Sequence, residues 1–282
     1  QACHIDMSES HPITTKIMGI LNATPDSFFA ESRLVDDSLI DFKKYKHADI
    51  VDVGFESSRP GANPISEIGE LNRLNDFLKN VSNFKQTLSI DTYKPQVGKY
   101  ALENGFNMIN DITAGGKSGK MLEIAALFNC PIVLMHMQGN PVTMQNEPFY
   151  EDVMDELKHY FESRIELAKN IGLKDSQIII DPGIGFGKRI IDNDTIINNL
   201  GDLKQFGFPV LIGISRKSFL SIDDDGAEGR LSATLGATAL AVKNGADIIR
   251  VHDVKENYRM LSVISRIIQR KNVNETISVN EV

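Results

Sequence analysis

The sequence has little cysteine. Cys3 and Cys130 are the only two in 282 residues, too few for a disulfide framework and in keeping with a reducing, cytoplasmic setting. It has no apolar stretch near the roughly 18 consecutive residues that a membrane helix needs, and no secretory signal opens it. It has no excess of positive charge. With 38 acidic and 30 basic side chains the net charge is −8, which argues against a general nucleic-acid binder. His136 stands without another His or Cys at metal-ligand spacing, so no zinc site is expected there. Low-complexity tracts and signs of a second domain are also missing. Gln1 in place of Met is expected of a processed chain or one excised from something longer, and residues 1–15 read as a linker or tail. The remainder, 16–282, is long enough for one domain of the (β/α)8 class, which runs to about 250 residues.

What is there is a repeating pattern. Eight short, β-branched apolar runs each stop abruptly at polar or glycine residues: Asn22, Gly54, Asp91, Asn110-Asp111, His136, Asp181, Ser215-Arg216-Lys217 and Arg250-Val251-His252-Asp253. Strands are expected over 16–21, 50–53, 87–90, 108–112, 132–135, 178–180, 210–214 and 248–251. Helices are expected over 36–47, 67–80, from Pro95 onward, and over 118–128, 151–170, 194–206, 234–244 and 256–270. Pro95 sits at a favoured first helical position. The strands are apolar on both faces, as parallel strands covered by helices should be. Polar chemistry loaded onto the ends of eight strands alternating with helices predicts a (β/α)8 barrel whose site lies where the strands end.

Read in order, the strand ends carry Gly19-Ile20-Leu21-Asn22-Ala23-Thr24-Pro25-Asp26-Ser27-Phe28, Glu56-Ser57-Ser58-Arg59-Pro60-Gly61 and Ser89-Ile90-Asp91-Thr92-Tyr93-Lys94. Asn110-Asp111 and Met135-His136-Met137-Gln138-Gly139 follow. Asp181-Pro182-Gly183-Ile184-Gly185-Phe186-Gly187-Lys188, Ser215-Arg216-Lys217-Ser218 and Arg250-Val251-His252-Asp253 complete the series. Eight motifs in this order resemble the dihydropteroate synthase family, from about residue 17 to the last helix. The resemblance implies condensation of 6-hydroxymethyl-7,8-dihydropterin diphosphate with para-aminobenzoate, by an SN1-like departure of diphosphate. A pterin offers paired N–H donors along its amino-pyrimidinone edge, which a buried carboxylate accepts in a charge-assisted fork and an amide complements. Asp91, Asn110 and Asp181 are the residues the resemblance gives to that edge, with Lys217 on the other side of the ring. It gives Arg250, His252 and Arg59 to the diphosphate, and Asn22 to Mg2+, a cation that keeps several waters and leans on substrate phosphate oxygens. It gives Ser58, Pro60, Phe186, Lys217 and Ser218 to the aminobenzoate, where sulfonamides would compete. A homodimer packed through late helices is implied, and in some family members an upstream pterin kinase is fused in the same polypeptide.

Plainer roles compete with these. Asp91-Thr92 before Lys94-Pro95 has the form of a helix cap. Asn110 and Asp111 point to opposite sides of a strand, so one is structural, and motif position selects Asn110 for the site. Gly183, Gly185 and Gly187 fit neither a dinucleotide fingerprint nor a Walker loop, which leaves Lys188 as a solvated lysine. His136 reads as a satisfied core histidine and Cys130 as a small core hydrophobe. Two segments depart from the family pattern. Phe29-Ala30-Glu31-Ser32 lacks an acidic residue at 30, and Phe55 puts a bulky side chain where a flexible glycine is usual. A pterin-binding methyltransferase, a non-catalytic pterin binder and, from fold alone, a barrel enzyme acting on sugar phosphates are the competing functions. The first has no use for Arg250, His252 and Arg59 gathered together.

Overall fold

A computed structural model describes residues 15–23, 42–56, 64–80, 85–222, 226–227 and 229–279. Eight parallel strands run β1 (Lys16–Asn22), β2 (Ile50–Gly54), β3 (Thr87–Asp91), β4 (Met108–Asp111), β5 (Ile132–Met135), β6 (Ile178–Asp181), β7 (Leu211–Ile212) and β8 (Ile248–Val251). They lie in the order β6-β5-β4-β3-β2-β1-β8-β7. A bridge between Ile180 and Val210 joins the two ends of that order, so the sheet closes into a barrel. The helices between them are α1 (Glu67–Asn80), α2 (Pro95–Glu103), α3 (Lys120–Phe128), α4 (Val153–Ile171), α5 (Ile190–Asn198), α6 (Leu231–Lys243) and α7 (Val254–Val279).

Strand alternation sorts side chains between two cores. Outward residues such as Val51, Val53, Ile90, Ile109 and Ile180 join the helices in one large apolar shell. Inward residues Met18, Ile50, Met108, Val133, Ile179, Leu211 and Ile248 form a separate plug, the layered interior that barrels of this class share. Two residues further along, the inward positions of β2, β4, β6 and β8 are Asp52, Asn110, Asp181 and Arg250. The apolar plug thus carries a polar floor above it, on the side where the strands end.

The expected and observed elements differ in several places, among them the following. The seventh strand is shorter than 210–214, and Val210 makes only the bridge. The expected helix over 194–206 starts earlier, at Ile190, because the Arg189 N–H donates to the Asp192 carboxylate at 2.8 Å. It ends at Asn198, and a 3-10 turn over Leu200–Phe206 follows. Within 36–47 the structure describes a 3-10 turn at Phe42–Tyr45; residues 36–41 lie outside the described residues, as do 1–14.

Phe55 is a correction. Its side chain is fully buried and meets Phe77 of α1 edge-on, with ring centroids 5.5 Å apart. Its carbonyl accepts a 2.7 Å hydrogen bond from Arg73. Position 55 therefore serves the shell and holds α1, rather than crowding a mobile loop.

Candidate active site

The polar floor is built around one guanidinium. Arg250, inward on β8, donates from Nε to Asp52 Oδ2 and from Nη2 to Asp91 Oδ2, each at 2.6 Å. Asn110 donates from Nδ2 to the same Asp52 oxygen at 2.9 Å. Asp52 is completely buried, and its Oδ1 has no hydrogen-bond partner among the described residues. The sequence reading missed Asp52. Its signal was an acidic residue inside the apolar run Ile50-Val51-Asp52-Val53, two positions from Gly54 and so on the inward face.

Asp91 does not cap the helix that follows it. Lys94 is the N-cap of α2 without a side-chain cap, and its N–H donates to Thr92 Oγ1 at 3.2 Å, which leaves Asp91 to Arg250. Burial pushes the Asp91 carboxyl up from the ordinary range to about 7; Arg250 pulls it down while Asp52 pushes it further up. Asn110 and Asp111 part as strand geometry requires. Asp111 faces away from the floor and accepts from Thr113 N at 2.8 Å, Thr113 Oγ1 at 2.7 Å and Gly115 N at 2.7 Å.

Across the barrel, Asp181 is 5% exposed and its Oδ1 accepts from the Gly183 N–H at 2.7 Å. Burial raises its pKa, and Gly183, Lys217, Lys188 and Arg250 oppose that rise. Lys217 Nζ donates to the Ile184 carbonyl and stands 4.6 Å from the centre of the Phe186 ring. Burial brings this lysine down to about 8, against the pull of Asp181. Its place depends on Arg216, which adopts a left-handed φ of 58°. That strain is held by a bidentate pair with Asp253 at 2.8 and 2.6 Å. Ser215 Oγ accepts the His252 N–H at 3.2 Å and lies 3.0 Å from His252 Nδ1, tying the ends of β7 and β8 together. Ser218, itself exposed, opens a 3-10 turn.

The structure therefore gathers Asp91, Asn110, Asp181, Lys217, Phe186, Arg250 and His252 at one end of the barrel. Asn22 ends β1 opposite Gly54 of β2, at the same rim. Ser58, Arg59, Pro60 and the altered stretch 29–32 lie outside the described residues. Lys188 corrects the sequence reading: it is 4% exposed rather than solvated. Failing to match a phosphate loop said nothing about which way its side chain turned. Beside Asp91, a cavity of about 720 Å³ opens between the segments after β3, β4 and β5, bounded by Tyr93, Ile112, Met137 and Tyr160. At its edge Lys94 pairs with Glu56 and, at 2.6 Å, with Glu70.

Among the described residues no group of three or more His, Cys, Asp or Glu could hold a metal. An amide oxygen of the kind Asn22 carries is a donor that Mg2+ accepts, with water and substrate phosphates completing the shell.

Residues 18–252 match the family model described as pterin binding enzyme. The dihydropteroate synthase of Escherichia coli K12 is 39% identical over 279 residues, covering 96% of each chain. That of Synechocystis is 40% identical over 248 residues, 86% of each. Among solved structures, the Yersinia pestis dihydropteroate synthase in a sulfonamide complex aligns with a TM-score of 0.82 at 32% identity, over 92% of this chain and 96% of that one. The Xanthomonas albilineans enzyme with 4-aminobenzoic acid aligns at 0.80 and 34% identity, over 90% and 93%. With the polar floor in place and likeness of this extent, the chain belongs to the pterin-binding enzyme family, in its dihydropteroate synthase branch.

Proposed function

We propose that the chain is a transferase that condenses 6-hydroxymethyl-7,8-dihydropterin diphosphate with para-aminobenzoate, forming 7,8-dihydropteroate and releasing diphosphate. The observation that carries this is the polar floor, where three carboxylates and an amide face the barrel interior beside a lysine and an arginine. Asp181 accepts the paired N–H donors of the pterin edge, Asn110 and Asp91 serve the remaining edge atoms, and Lys217 meets the ring's other side. Each such group left unpaired in a buried complex would cost roughly 1–3 kcal/mol.

The methylene C–O bond breaks first, and its electron pair leaves with the diphosphate. The cation so formed is conjugated with the pterin ring. The aminobenzoate nitrogen then gives its lone pair to the methylene carbon and loses a proton to water or phosphate oxygen. The chain's part is positioning and electrostatics. Arg250 and His252 hold the diphosphate, and Arg250 has to release Asp52 or Asp91 to do so. Arg59 is a further diphosphate candidate. Phe186, Lys217, Ser218, Ser58 and Pro60 form the aminobenzoate pocket, where sulfonamides compete. Asn22 would hold Mg2+, whose chemistry is to neutralise charge on the departing phosphates.

The purified chain is to be assayed for diphosphate release with both substrates and Mg2+, then with each omitted. Release that requires the aminobenzoate and yields dihydropteroate supports the reading. Tight binding of the pterin diphosphate without release would leave a binding protein only. A homodimer through the late helices, whose exposed apolar residues include Leu240, Val263 and Ile267, belongs to the same proposal. So does cytoplasmic residence, in line with the scarce cysteine; no helix among the described residues is long and apolar enough to cross a membrane. Native mass measures the dimer and any fused upstream pterin kinase.

A further inference from the structure

The turn after β6 packs directly on the segment after β5. A Cβ on Gly183 would stand 1.9 Å from the His136 carbonyl oxygen, and one on Gly187 2.5 Å from that of Gln138. Both glycines also have left-handed φ, 68° and 62°. Only glycine allows this approach. The turn is held from several sides: Asn193 accepts from Gly185 N at 2.7 Å, Gln145 donates to the Gly185 carbonyl at 2.8 Å, and Tyr150 donates to the Gly187 carbonyl at 2.7 Å.

Lys188 lies between the two segments. Its Nζ donates to the Phe186 carbonyl at 3.1 Å, meets His136 Nδ1 at 2.9 Å, and has the His136 carbonyl at 3.5 Å. These partners are an imidazole and two carbonyls rather than a carboxylate. Burying an amine on such terms is costly if packing is all it does, since a methionine fills the same volume without a charge to desolvate. Burial indeed brings the Lys188 amine down to about 7. The far anchor is itself fixed: the His136 ring meets Tyr160 edge-on at 4.8 Å, and Tyr160 donates to the Met135 carbonyl at 2.9 Å.

Phe186 is thereby held at three points. Its N–H donates to the Gly183 carbonyl at 3.0 Å, its carbonyl accepts from Lys188, and its ring lies under Lys217 Nζ. We propose that Lys188 is a positioning residue for the aminobenzoate site, a buried strut from the end of β5 that fixes the Phe186 backbone and so the ring against which the aminobenzoate packs. This rests on the reading of the chain as a dihydropteroate synthase with Phe186 in that pocket. Lys188 touches neither substrate in this scheme and acts through Phe186 alone.

The test is Lys188→Met in the full chain, with steady-state kinetics in both substrates and calorimetry of the pterin diphosphate. Loss of one hydrogen bond to the Phe186 carbonyl is expected to raise KM for para-aminobenzoate about tenfold. Calorimetric Kd for the pterin diphosphate and kcat should stay within about threefold of wild type. A residue that merely held the fold would move all three together, and that result overturns the proposal. So does an unchanged KM in a folded variant. Should Lys188→Met fail to fold, Lys188→Gln keeps a donor without the charge and is read by the same split, with a smaller rise in KM. Product formation by the wild-type chain decides the synthase reading separately: an inactive wild type defeats that reading, whereas an active wild type with an unmoved variant KM defeats only the strut.

Discussion

Asp52→Asn tests the floor at its least visible member. The change is nearly isosteric, so packing is preserved and only charge and hydrogen bonding differ. In the wild type, Asp52 Oδ2 accepts from Arg250 at 2.6 Å and from Asn110 at 2.9 Å, in complete burial. An amide oxygen at that place keeps both contacts but removes the acceptor's charge, a loss of about 1 kcal/mol for the arginine bond. The new NH2 then occupies the position of Oδ1, which has no partner among the described residues, at a further cost of roughly 1–3 kcal/mol for a buried unpaired donor. Stability should fall by about 2–4 kcal/mol in urea titration with an unchanged m-value. Pterin affinity should fall at least about tenfold in calorimetry, because the amide of Asn110 is no longer oriented by a carboxylate. A loss below about 0.5 kcal/mol together with unaltered affinity would refute the reasoning. Replacing both ends of the pair, Asp52→Leu with Arg250→Met, separates the two effects. Buried ion pairs often tolerate apolar replacement, so stability should partly recover while pterin binding should not.

The Asp91 carboxyl, pushed up to about 7 by burial, is partly protonated at neutral pH, and its acid form is a weaker acceptor for the edge atoms it serves. Pterin affinity should therefore rise with pH and level off above 7, standing about tenfold weaker one unit below that pKa; a flat profile by calorimetry from pH 5.5 to 8.5 would remove Asp91 from the edge. The same group, raised above its unfolded value, works against stability as pH climbs from about 4 to 7. Arg250→Met takes away the neighbouring positive charge that lowers the Asp91 pKa, so the midpoint of the affinity profile should move to higher pH, and a midpoint that stays or falls would contradict the pairing. Phe55→Gly deletes a fully buried ring from its edge contact with Phe77 and should cost about 3–5 kcal/mol in denaturant unfolding; a neutral result would mean that position 55 belongs to the loop after all.

The barrel was legible because its signals are local and repeated. Eight apolar runs with polar ends leave little freedom once parallel strands must be covered on both faces. The seventh strand and the helix after the sixth were less legible, because Val210 contributes only a bridge and Arg189 with Asp192 moves the helix start forward. At the site, motif order selected residues that end strands, and most of those meet at the rim. It could not select Asp52, which lies within a strand and shows its role only once Arg250 and Asn110 converge on it across the barrel. Nor could spacing place Lys188, whose partner His136 is 52 residues away. Phe55 was misread for a similar reason: its ring is claimed by Phe77, on a helix that the sequence marks only by its own periodicity.

The charge balance of the floor bears on how a diphosphate could be accepted there. Asp52, Asp91 and Asp181 face Arg250 and Lys217, three acids against two bases. The arginine is committed to two of those acids, and Lys217 lies in the field of the third. A neutral pterin edge enters such a floor without upsetting it, exchanging contacts with Arg250 and Asn110 for contacts with its own donors. A diphosphate brings several negative charges that the floor does not offset, and in a low-dielectric site that deficit is severe. Positive charge must arrive with the substrate or from the rim. That is the physical case for the proposed cation at Asn22 and for the proposed diphosphate contacts of His252 and Arg59. It also implies an order: the pterin edge can seat on the floor alone, whereas the leaving group becomes tolerable only as rim and cation close on it, so omission of Mg2+ should weaken the diphosphate ester far more than the free pterin.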